Sequence, residues 1–300
     1  MKLLVFEYAC AGGEGGEPFL DEGRQMLANL LQALSSLGLE RVTTLLSPSL
    51  GADSLFADKT VLVNGNLLRC FAEELAKHDA VWIIAPECDG VLLEFTRKAE
   101  SSGKAVIGPT SAAVEICGDK LLSYKALEGA LQTPKTSLFT GTFDLFPCVV
   151  KLIDGAGCHD TILMEEGQSL DFSLPEGKFV VQPYVEGIPM SAGVVSNGDA
   201  AVLLGVSRQI IETGPVLTFQ GVVGPVEYRH KDKIAEMIRI IREKIPGLDG
   251  YWGLDFIDGA NGPVLIEINP RLTSSFFLYC KSIPFELLFP GVKATVNDQG

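Results

Sequence analysis

The sequence GYWGLDFIDGANGPVLIEINPR, which spans Gly250–Arg271, contains two apolar runs separated by turn-forming residues. The runs are Trp252–Ile257 and Val264–Ile268, and Asp258–Gly262 lies between them. Apolar runs that flank such a cluster are typical of a β-hairpin. We therefore predict two antiparallel strands joined by a short turn.

Three polar side chains of this hairpin are expected on one face. Glu267 and Asn269 are two residues apart and point the same way, and Asp255 can face them from the partner strand. Oxygen ligands of this kind suit Mg²⁺, which takes one or two carboxylates alongside phosphate oxygens. A surface hairpin with scattered charges is the alternative, but an unpaired carboxylate at Glu267, inside an apolar strand, would be costly. We interpret Asp255, Glu267 and Asn269 as candidate metal ligands.

The composition of the 300-residue chain restricts its function classes. An apolar fraction of 47% supports a folded core, and a net charge of −14 argues against a nucleic acid partner. The seven cysteines are scattered and form no C-x-x-C pair, which favours buried reduced thiols. We find no secretory signal and no apolar run near the about 20 residues that span a membrane, so the sequence predicts a cytoplasmic protein without a membrane partner.

The first hundred residues alternate between strand-like and helix-like segments. The predicted strands are Leu3–Tyr8, Val42–Leu46, Val61–Val63, Ala80–Ala85 and Ala105–Ile107. The predicted helices between them are Asp21–Leu37, Leu68–Lys77 and Val91–Ser102. Such alternation predicts an α/β domain in which helices cover both faces of a parallel sheet.

The rest of the chain is a mixture of strands and two helical patterns. The predicted helices are Ala112–Gly129 and the amphipathic Lys231–Ile245. The predicted strands are Cys148–Leu152, Thr161–Met164, Phe179–Val185, Ser191–Ser196 and Ala200–Gln209. Because Asn197–Asp199 is a turn signal, the last two strands are predicted to form a second hairpin.

Five features stand in one order along the chain. They are Gly118–Asp119–Lys120 at a helix start, Lys151 at a strand end before the loop Asp154–Gly157, Gln182–Gly187 after a strand, Asp255, and the run Glu267-Ile-Asn-Pro-Arg271. This set resembles the ATP-grasp superfamily over about residues 106–280. The resemblance implies an α/β and α+β protein with an ATP-grasp fold behind an amino-terminal preATP-grasp domain. The expected domains are residues 1–110, the small lobe 111–186 and the large lobe 187–300.

The resemblance implies positions for ATP. Lys120 and Lys151 would bind the phosphates, although Lys120 could instead be an exposed helix residue, and the loop with Gly155 and Gly157 would approach them through backbone N–H groups. The segment with Gln182, Tyr184 and Val185 would bind adenine, and Glu186 would replace the usual acidic contact to the ribose.

The resemblance also implies the reaction. Asp255, Glu267 and Asn269 would hold Mg²⁺, with Mn²⁺ as an alternative, on the ATP phosphates. Arg271 would bind the acceptor carboxylate or the transferred phosphate, and Arg208 is a second candidate for the γ-phosphate, with a strand-edge arginine as an equal alternative. ATP would convert a carboxylate into an acylphosphate, and an amine would then displace the phosphate. Glu7, Tyr8 and Glu14 are candidate acceptor contacts.

Within the superfamily, the chain resembles the tyramine–L-glutamate ligases of methanofuran biosynthesis most. The resemblance rests on Leu3–Tyr8 with the glycine cluster after it, and on Glu267–Ser275. The implied partners are a small carboxylate and a small amine. Another ATP-grasp amino-acid or dipeptide ligase remains an alternative, as does a non-catalytic nucleotide-binding protein. The apolar stretch Phe276–Phe289 could pack internally or form a homodimer.

Overall fold

A computed structural model of the protein describes residues 1–51, 55–158, 160–168 and 174–292. The end of the third expected domain, residues 293–300, lies outside the described residues. The described chain forms three β-sheets in succession, two of five strands and one of four. One parallel sheet with connecting helices and two antiparallel sheets agree with the α/β and α+β class expected from the sequence.

The first sheet is parallel, as the alternation of strands and helices predicts. In spatial order β3–β2–β1–β4–β5 it contains β1 (Lys2–Glu7), β2 (Arg41–Leu46), β3 (Lys59–Leu62), β4 (Ala80–Ile84) and β5 (Ala105–Val106). The helices that connect these strands are α1 (Leu20–Leu34), α2 (Leu67–Leu75) and α3 (Val91–Ser101). Alternate residues of β1 enter different cores, Leu3 beside α1 and Leu4 beside α2 and α3. This two-sided burial explains why β1 is continuously apolar from Leu3 to Phe6.

The prediction of one helix over residues 112–129 was wrong, because the structure has two helices there. These are α4 (Ser111–Cys117) and α5 (Lys120–Leu127). Asp119 adopts an extended backbone, and its Oδ1 accepts hydrogen bonds from the N–H groups of Leu121 and Leu122, both at 2.8 Å. An aspartate that caps a helix in this way starts a new helix rather than continuing the old one. Lys120 is therefore the first residue of α5.

The second sheet is small and antiparallel. Its strands, in the order β6–β9–β7–β8, are β6 (Ser137–Leu138), β7 (Cys148–Leu152), β8 (Ile162–Met164) and β9 (Phe179–Pro183). β7 agrees with the predicted strand, and β6 had no counterpart in the prediction because two residues give no periodic signal. The loop that contains Gly155 and Gly157 connects β7 to β8.

The third sheet contains both predicted hairpins. In the order β12–β11–β10–β13–β14 its strands are β10 (Ile188–Asn197), β11 (Ala200–Glu212), β12 (Thr218–Val223), β13 (Gly250–Gly259) and β14 (Gly262–Asn269), with α6 (Lys231–Lys244) before β13. All neighbouring strands are antiparallel. Gly259 pairs with Gly262, so the turn consists of Ala260 and Asn261, and Gly262 has a φ of 113° that favours glycine.

The last described helices pack against the first sheet. α7 (Phe276–Tyr279) and α8 (Phe285–Leu288) contribute Phe276 and Leu288 to the core that contains Leu3 and α1. Most apolar side chains of the segment Phe276–Phe289, which the sequence left open, thus pack internally, and Phe277 is a large apolar side chain of this segment that is exposed. Among residues 1–51, 55–158, 160–168 and 174–292, we find no helix that is long and apolar enough to cross a membrane.

Candidate active site

Asp255 and Glu267 are direct neighbours across the β13–β14 hairpin. The Asn269 amide donates a hydrogen bond to Asp255 Oδ2 at 3.0 Å, so the three predicted metal ligands are together. A second amide, that of Gln209 on β11, donates to Asp255 Oδ1 at 3.0 Å. The sequence analysis missed Gln209, because its position depends on how β11 pairs with β10 and β10 with β13.

Two lysines, one at the start of α5 and one in β7, approach this pair of carboxylates. Lys120 Nζ lies 3.0 Å from Glu267 Oε1 and donates a hydrogen bond to the carbonyl oxygen of Gly155 at 2.5 Å. Lys151 is equally buried, with 6% of its surface exposed. Burial lowers the pKa of Lys151 to about 8, although the Glu267 carboxylate acts in the opposite direction. The hypothesis of an exposed Lys120 is wrong, because Lys120 is also 6% exposed.

The two carboxylates differ in their charge environment. Burial, together with the nearby charge of Glu267, raises the pKa of Asp255 to about 6. Burial also acts to raise the pKa of Glu267, but the ammonium groups of Lys120 and Lys151 outweigh it and hold this pKa below its usual value. Glu267 is therefore compensated by lysines, whereas the charge of Asp255 is compensated mainly by hydrogen bonds.

The donor set at this point fits a divalent cation of the magnesium type. Mg²⁺ takes one or two carboxylates and completes its shell with water and phosphate oxygens. No cluster of three or more His, Cys, Asp or Glu side chains that could hold a metal occurs in the described part of the chain. Two adjacent carboxylates and an amide are thus suited to a shared metal–phosphate site and not to a closed all-protein site.

A cavity of about 560 Å³ lies between the second and third sheets and ends at Asp255 and Glu267. Gln182, Tyr184, Val185 and Gly155 line it, as do Lys120, Lys151 and Arg208. The Gln182 amide donates a hydrogen bond to the hydroxyl of Thr136 at 2.8 Å. Glu186 is exposed and does not line the cavity. Arg208 is exposed at the cavity wall.

A second, smaller cavity of about 80 Å³ lies on the other side of the carboxylate pair. Its walls come from the first sheet and the start of α1, from the loop between β7 and β8, from the third sheet and from the segment after β14, and they include Glu7, Gly157, Asn269 and Arg271. Asp255, Glu267, Gln209 and Cys158 line both cavities. The two cavities therefore meet at the candidate metal ligands.

The three candidate acceptor contacts near the amino terminus, Glu7, Tyr8 and Glu14, differ in their positions. Glu7, at the end of β1, is buried and lines the smaller cavity. Neither Tyr8 nor Glu14 lines either cavity, and the Tyr8 hydroxyl donates to the carbonyl oxygen of Glu14 at 2.9 Å.

Arg271 is held by a residue that the sequence analysis did not single out. Its Nε donates to Glu87 Oε2 at 2.8 Å, and the Glu87 side chain is buried while that of Arg271 is 11% exposed. Burial acts to lower the pKa of Arg271, but Glu87 outweighs it and raises that pKa. Glu87 follows the carboxyl end of β4, where parallel sheets commonly bind ligands, and this was the available signal.

Two protein-family models together match most of the chain. An ATP-grasp domain matches residues 117–275 and a pre-ATP-grasp domain matches residues 40–114. The chain belongs to the ATP-grasp family. The carboxylates, the lysines and most of both cavity walls fall within the first match, and Glu87 falls within the second.

Other members of the ATP-grasp family resemble the chain along most of its length. The tyramine–L-glutamate ligase of Methanocaldococcus jannaschii is 31% identical over 92% of this chain and 83% of that protein. The enzyme of the same name from Methanocaldococcus fervens is also 31% identical, over 92% of this chain and 88% of that protein. These relationships identify the chain as an ATP-grasp ligase, an enzyme that forms a carbon–nitrogen bond.

The solved structure of an ATP-grasp superfamily protein from Archaeoglobus fulgidus is similar in fold. It is 27% identical, with a TM-score of 0.73, over 93% of this chain and 83% of that chain. An L-amino acid ligase from Bacillus licheniformis is 14% identical, with a TM-score of 0.71, over 96% of this chain and 74% of that chain. The second likeness concerns the fold alone.

Proposed function

We propose that this protein is an ATP-dependent ligase that joins tyramine to the γ-carboxylate of L-glutamate, a step of methanofuran biosynthesis. The observation that carries the proposal is the meeting of two cavities at Asp255 and Glu267. One cavity has lysines for phosphates, and the other has Arg271 for a carboxylate. The relatives named tyramine–L-glutamate ligase support the choice of substrates. Because the reaction consumes ATP, a cytoplasmic location is part of the proposal.

In this proposal the larger cavity binds ATP. Gln182, Tyr184 and Val185 contact the adenine, since they lie on the cavity wall at the end of β9. Lys120, Lys151 and the backbone at Gly155 contact the phosphates, with Gly157 on the far side of the same loop. Glu186 stands outside the cavity wall, so a ribose contact would require this segment to move.

The candidate metal ligands are Asp255, Glu267 and Asn269. A divalent cation there, Mg²⁺ or Mn²⁺, would neutralise charge on the transferred phosphoryl group. Lys120 neutralises Glu267 in the structure at 3.0 Å. We propose that Arg271 orients the acceptor carboxylate through its planar fork and that Arg208, at the wall of the larger cavity, contacts the γ-phosphate.

The chemistry has two steps. The γ-carboxylate oxygen of glutamate attacks the γ-phosphorus of ATP, the bond to the β-phosphate oxygen breaks, and ADP leaves. The tyramine nitrogen, after it loses a proton, attacks the acyl carbon of the acylphosphate. The carbon–oxygen bond to phosphate then breaks, phosphate departs with the bonding electrons, and the nitrogen releases a second proton, so that the amide retains one N–H. Exclusion of water from the acylphosphate is the task of the loop between β7 and β8.

The test is ADP release from Mg-ATP with L-glutamate present and with tyramine, other amines or amino acids added in turn. ADP formed with glutamate and tyramine, at a rate well above the other pairs, supports the proposal. Turnover with a different carboxylate–amine pair would replace the substrates and retain an ATP-grasp ligase. Binding of Mg-ATP without turnover of any pair would point first to an untested substrate and second to the non-catalytic alternative.

A further inference from the structure

Asp255 accepts hydrogen bonds from two amides that belong to different strands. The Asn269 amide on β14 donates to Oδ2 and the Gln209 amide on β11 donates to Oδ1, both at 3.0 Å. The first bond joins adjacent strands of the hairpin, whereas the second crosses the whole width of β10, which lies between β11 and β13. Each oxygen of the carboxylate is held by an amide, so the orientation of Asp255 is fixed from two sides of the sheet.

The register of the third sheet makes the long contact of Gln209 possible. Asp255 pairs with Ser191 on β10, and Ser191 pairs with Ser207 on β11, so the three residues form a row across the sheet. Gln209 lies two residues beyond Ser207 and therefore on the same face. A long side chain is needed to reach Asp255 from there, and a serine between them is small enough to leave the path open. The Ser191 hydroxyl is itself a further hydrogen-bond partner of Asp255.

Gln209 lies at the point where the two cavities meet, because it lines both of them. It is half-buried, and its amide is uncharged, so it adds no charge to the carboxylates of Asp255 and Glu267. An ionised carboxylate offers about four lone-pair sites on its two oxygens. The two amides and the Ser191 hydroxyl use three of these sites at Asp255, which leaves one for a cation.

We propose that Gln209 is a positioning residue of the metal site, which holds the Asp255 carboxylate in the orientation that binds a divalent cation. Carboxylates that bind metals are commonly hydrogen-bonded by an outer residue, and loss of such a residue weakens metal binding about 10- to 100-fold. Asn269 is itself a candidate ligand through its amide oxygen, so the outer position is left to Gln209. The inference rests on the proposed function for the metal site, and it gives a role to a residue that the sequence analysis missed.

A purely structural role for Gln209 leads to a different expectation. Its hydrogen bond would then only compensate the buried charge of Asp255, and its loss would lower the free energy of unfolding without a change in metal affinity. The positioning role requires that metal affinity falls while the nucleotide still binds in the absence of metal. Nucleotide binding measured with and without metal therefore distinguishes the two roles.

The experiment is calorimetric binding of a non-hydrolysable ATP analogue to the wild type and to Gln209→Leu, once in EDTA and once with Mn²⁺. We expect Mn²⁺ to tighten binding by the wild type. In Gln209→Leu the Kd in EDTA should stay within about twofold of the wild-type value, and the Kd with Mn²⁺ should be about tenfold or more higher than in the wild type. Equal Kd values of the two proteins with Mn²⁺ would overturn the inference.

Gln220→Leu is the matched control on the neighbouring strand β12. The Gln220 amide donates to the exposed carboxylate of Glu212 at 2.9 Å, so this variant also loses one bond between an amide and a carboxylate. Neither residue lines a cavity, and both Kd values should equal those of the wild type.

Gln209→Asn is a second variant that keeps the amide but is one methylene group shorter. Because the shorter side chain does not span β10, its Kd with Mn²⁺ should rise as in Gln209→Leu, at an unchanged far-ultraviolet circular dichroism spectrum. A wild-type Kd with Mn²⁺ in this variant would show that reach across β10 is not required, and would contradict the inference.

The metal dependence of turnover gives another readout. In Gln209→Leu the Mg²⁺ concentration for half-maximal ADP formation should rise about tenfold or more, and excess Mg²⁺ should bring kcat to within about threefold of the wild type. A low kcat at every Mg²⁺ concentration, with the half-maximal concentration unchanged, would indicate a structural role instead.

Failure of the proposed function would look different from failure of this inference. If glutamate and tyramine give no ADP, the proposed substrates are wrong, but the calorimetric comparison needs neither substrate and still tests Gln209. If Mn²⁺ does not tighten binding of the analogue by the wild type, the candidate metal site and the role of Gln209 are both overturned.

Discussion

Arg271 and Glu87 are 184 positions apart in sequence, and Arg271 Nε donates to Glu87 Oε2 at 2.8 Å. The pair joins the segment after β14 to the segment after β4. Two residues further on, the backbone N–H of Asp89 donates to the Asp154 side chain in the β7–β8 loop at 2.8 Å. The short stretch from Glu87 to Asp89 therefore contacts both the candidate acceptor-binding arginine and the candidate phosphate loop.

We expect Glu87→Gln to reduce turnover at least tenfold and to lower the free energy of unfolding. Arg271 would keep its position in a buried site but lose the charge that compensates it, and breaking a buried pair in this way costs about 3–5 kcal/mol. The measurements are kcat and urea unfolding. The exposed pair of Arg97 and Glu115, also at 2.8 Å, gives a matched control, since Glu115→Gln should cost less than about 1 kcal/mol. Equal effects of the two substitutions would show that the buried pair has no special role.

Glu267→Gln should reduce ADP formation at least about a hundredfold while the far-ultraviolet circular dichroism spectrum stays unchanged. The substitution removes a candidate metal ligand and the partner of Lys120 at 3.0 Å. Omission of divalent metal should stop ADP formation by the wild type, and Mn²⁺ should restore it. Near-normal turnover of this variant would remove Glu267 from the metal site. Glu243→Gln, on the exposed face of α6, is the control that should retain full activity.

ATP affinity should fall as the pH rises through about 8, the value to which burial lowers the pKa of Lys151. Below this pH the lysine is an ammonium ion that attracts phosphate, and above it the lysine is neutral. Lys151→Arg keeps a positive charge at every pH used, so its ATP affinity should stay level over pH 7–9. Equilibrium binding of ATP at several pH values tests both expectations. Parallel pH profiles for the two proteins would exclude Lys151 as the titrating group.

Asp255→Asn should stabilise the metal-free protein at neutral pH while abolishing its activity. Because burial raises the pKa of Asp255 from 3.8 to about 6, the folded protein holds this proton more tightly than the unfolded chain. The resulting stabilisation is complete below about pH 4 and is lost as the pH rises to about 6, a change of about 3 kcal/mol. Urea unfolding of both proteins from pH 4 to pH 7 should show a difference that grows over this interval and then levels off. A constant difference would contradict the shifted pKa.

Ser196→Ala should lower the free energy of unfolding by about 1–3 kcal/mol without changing the KM for ATP. The Ser196 hydroxyl accepts a hydrogen bond from the indole N–H of the fully buried Trp252 at 2.9 Å. The substitution leaves that N–H without a partner, and neither Ser196 nor Trp252 lines either cavity.

Features with a local signal in the sequence could be predicted. Strand and hairpin patterns depend on neighbouring residues, so the hairpin and the pairing of Asp255 with Glu267 follow from alternation and a turn. The break between α4 and α5 was missed because the capping hydrogen bonds of Asp119 compete with a helical pattern that continues on both sides. β12 was missed because Thr218–Val223 contains glycine and glutamine and lacks clear alternation.

Features that depend on distant parts of the chain could not be predicted. Gln209 reaches Asp255 only because β11, β10 and β13 pair in one register, and no local pattern fixes that register. Glu87 meets Arg271 only after the first sheet packs beside the third. Glu186 follows Val185 directly, yet it is exposed and does not line the cavity that Val185 lines, and the connection between β9 and β10 has no periodic pattern that would indicate which side chains face inward.

The hairpin formed by β13 and β14 contains all three candidate metal ligands within fifteen residues, from Asp255 to Asn269. Apolar residues that line the smaller cavity come from other segments, at the start of α1, at the end of β4 and in β12. Substitutions in these walls leave the hairpin untouched. The fold thereby keeps the candidate metal ligands on one continuous hairpin and spreads the walls of the neighbouring cavity over separate segments, so a descendant of this chain could change its substrates by drift in those segments while its phosphoryl chemistry is inherited intact.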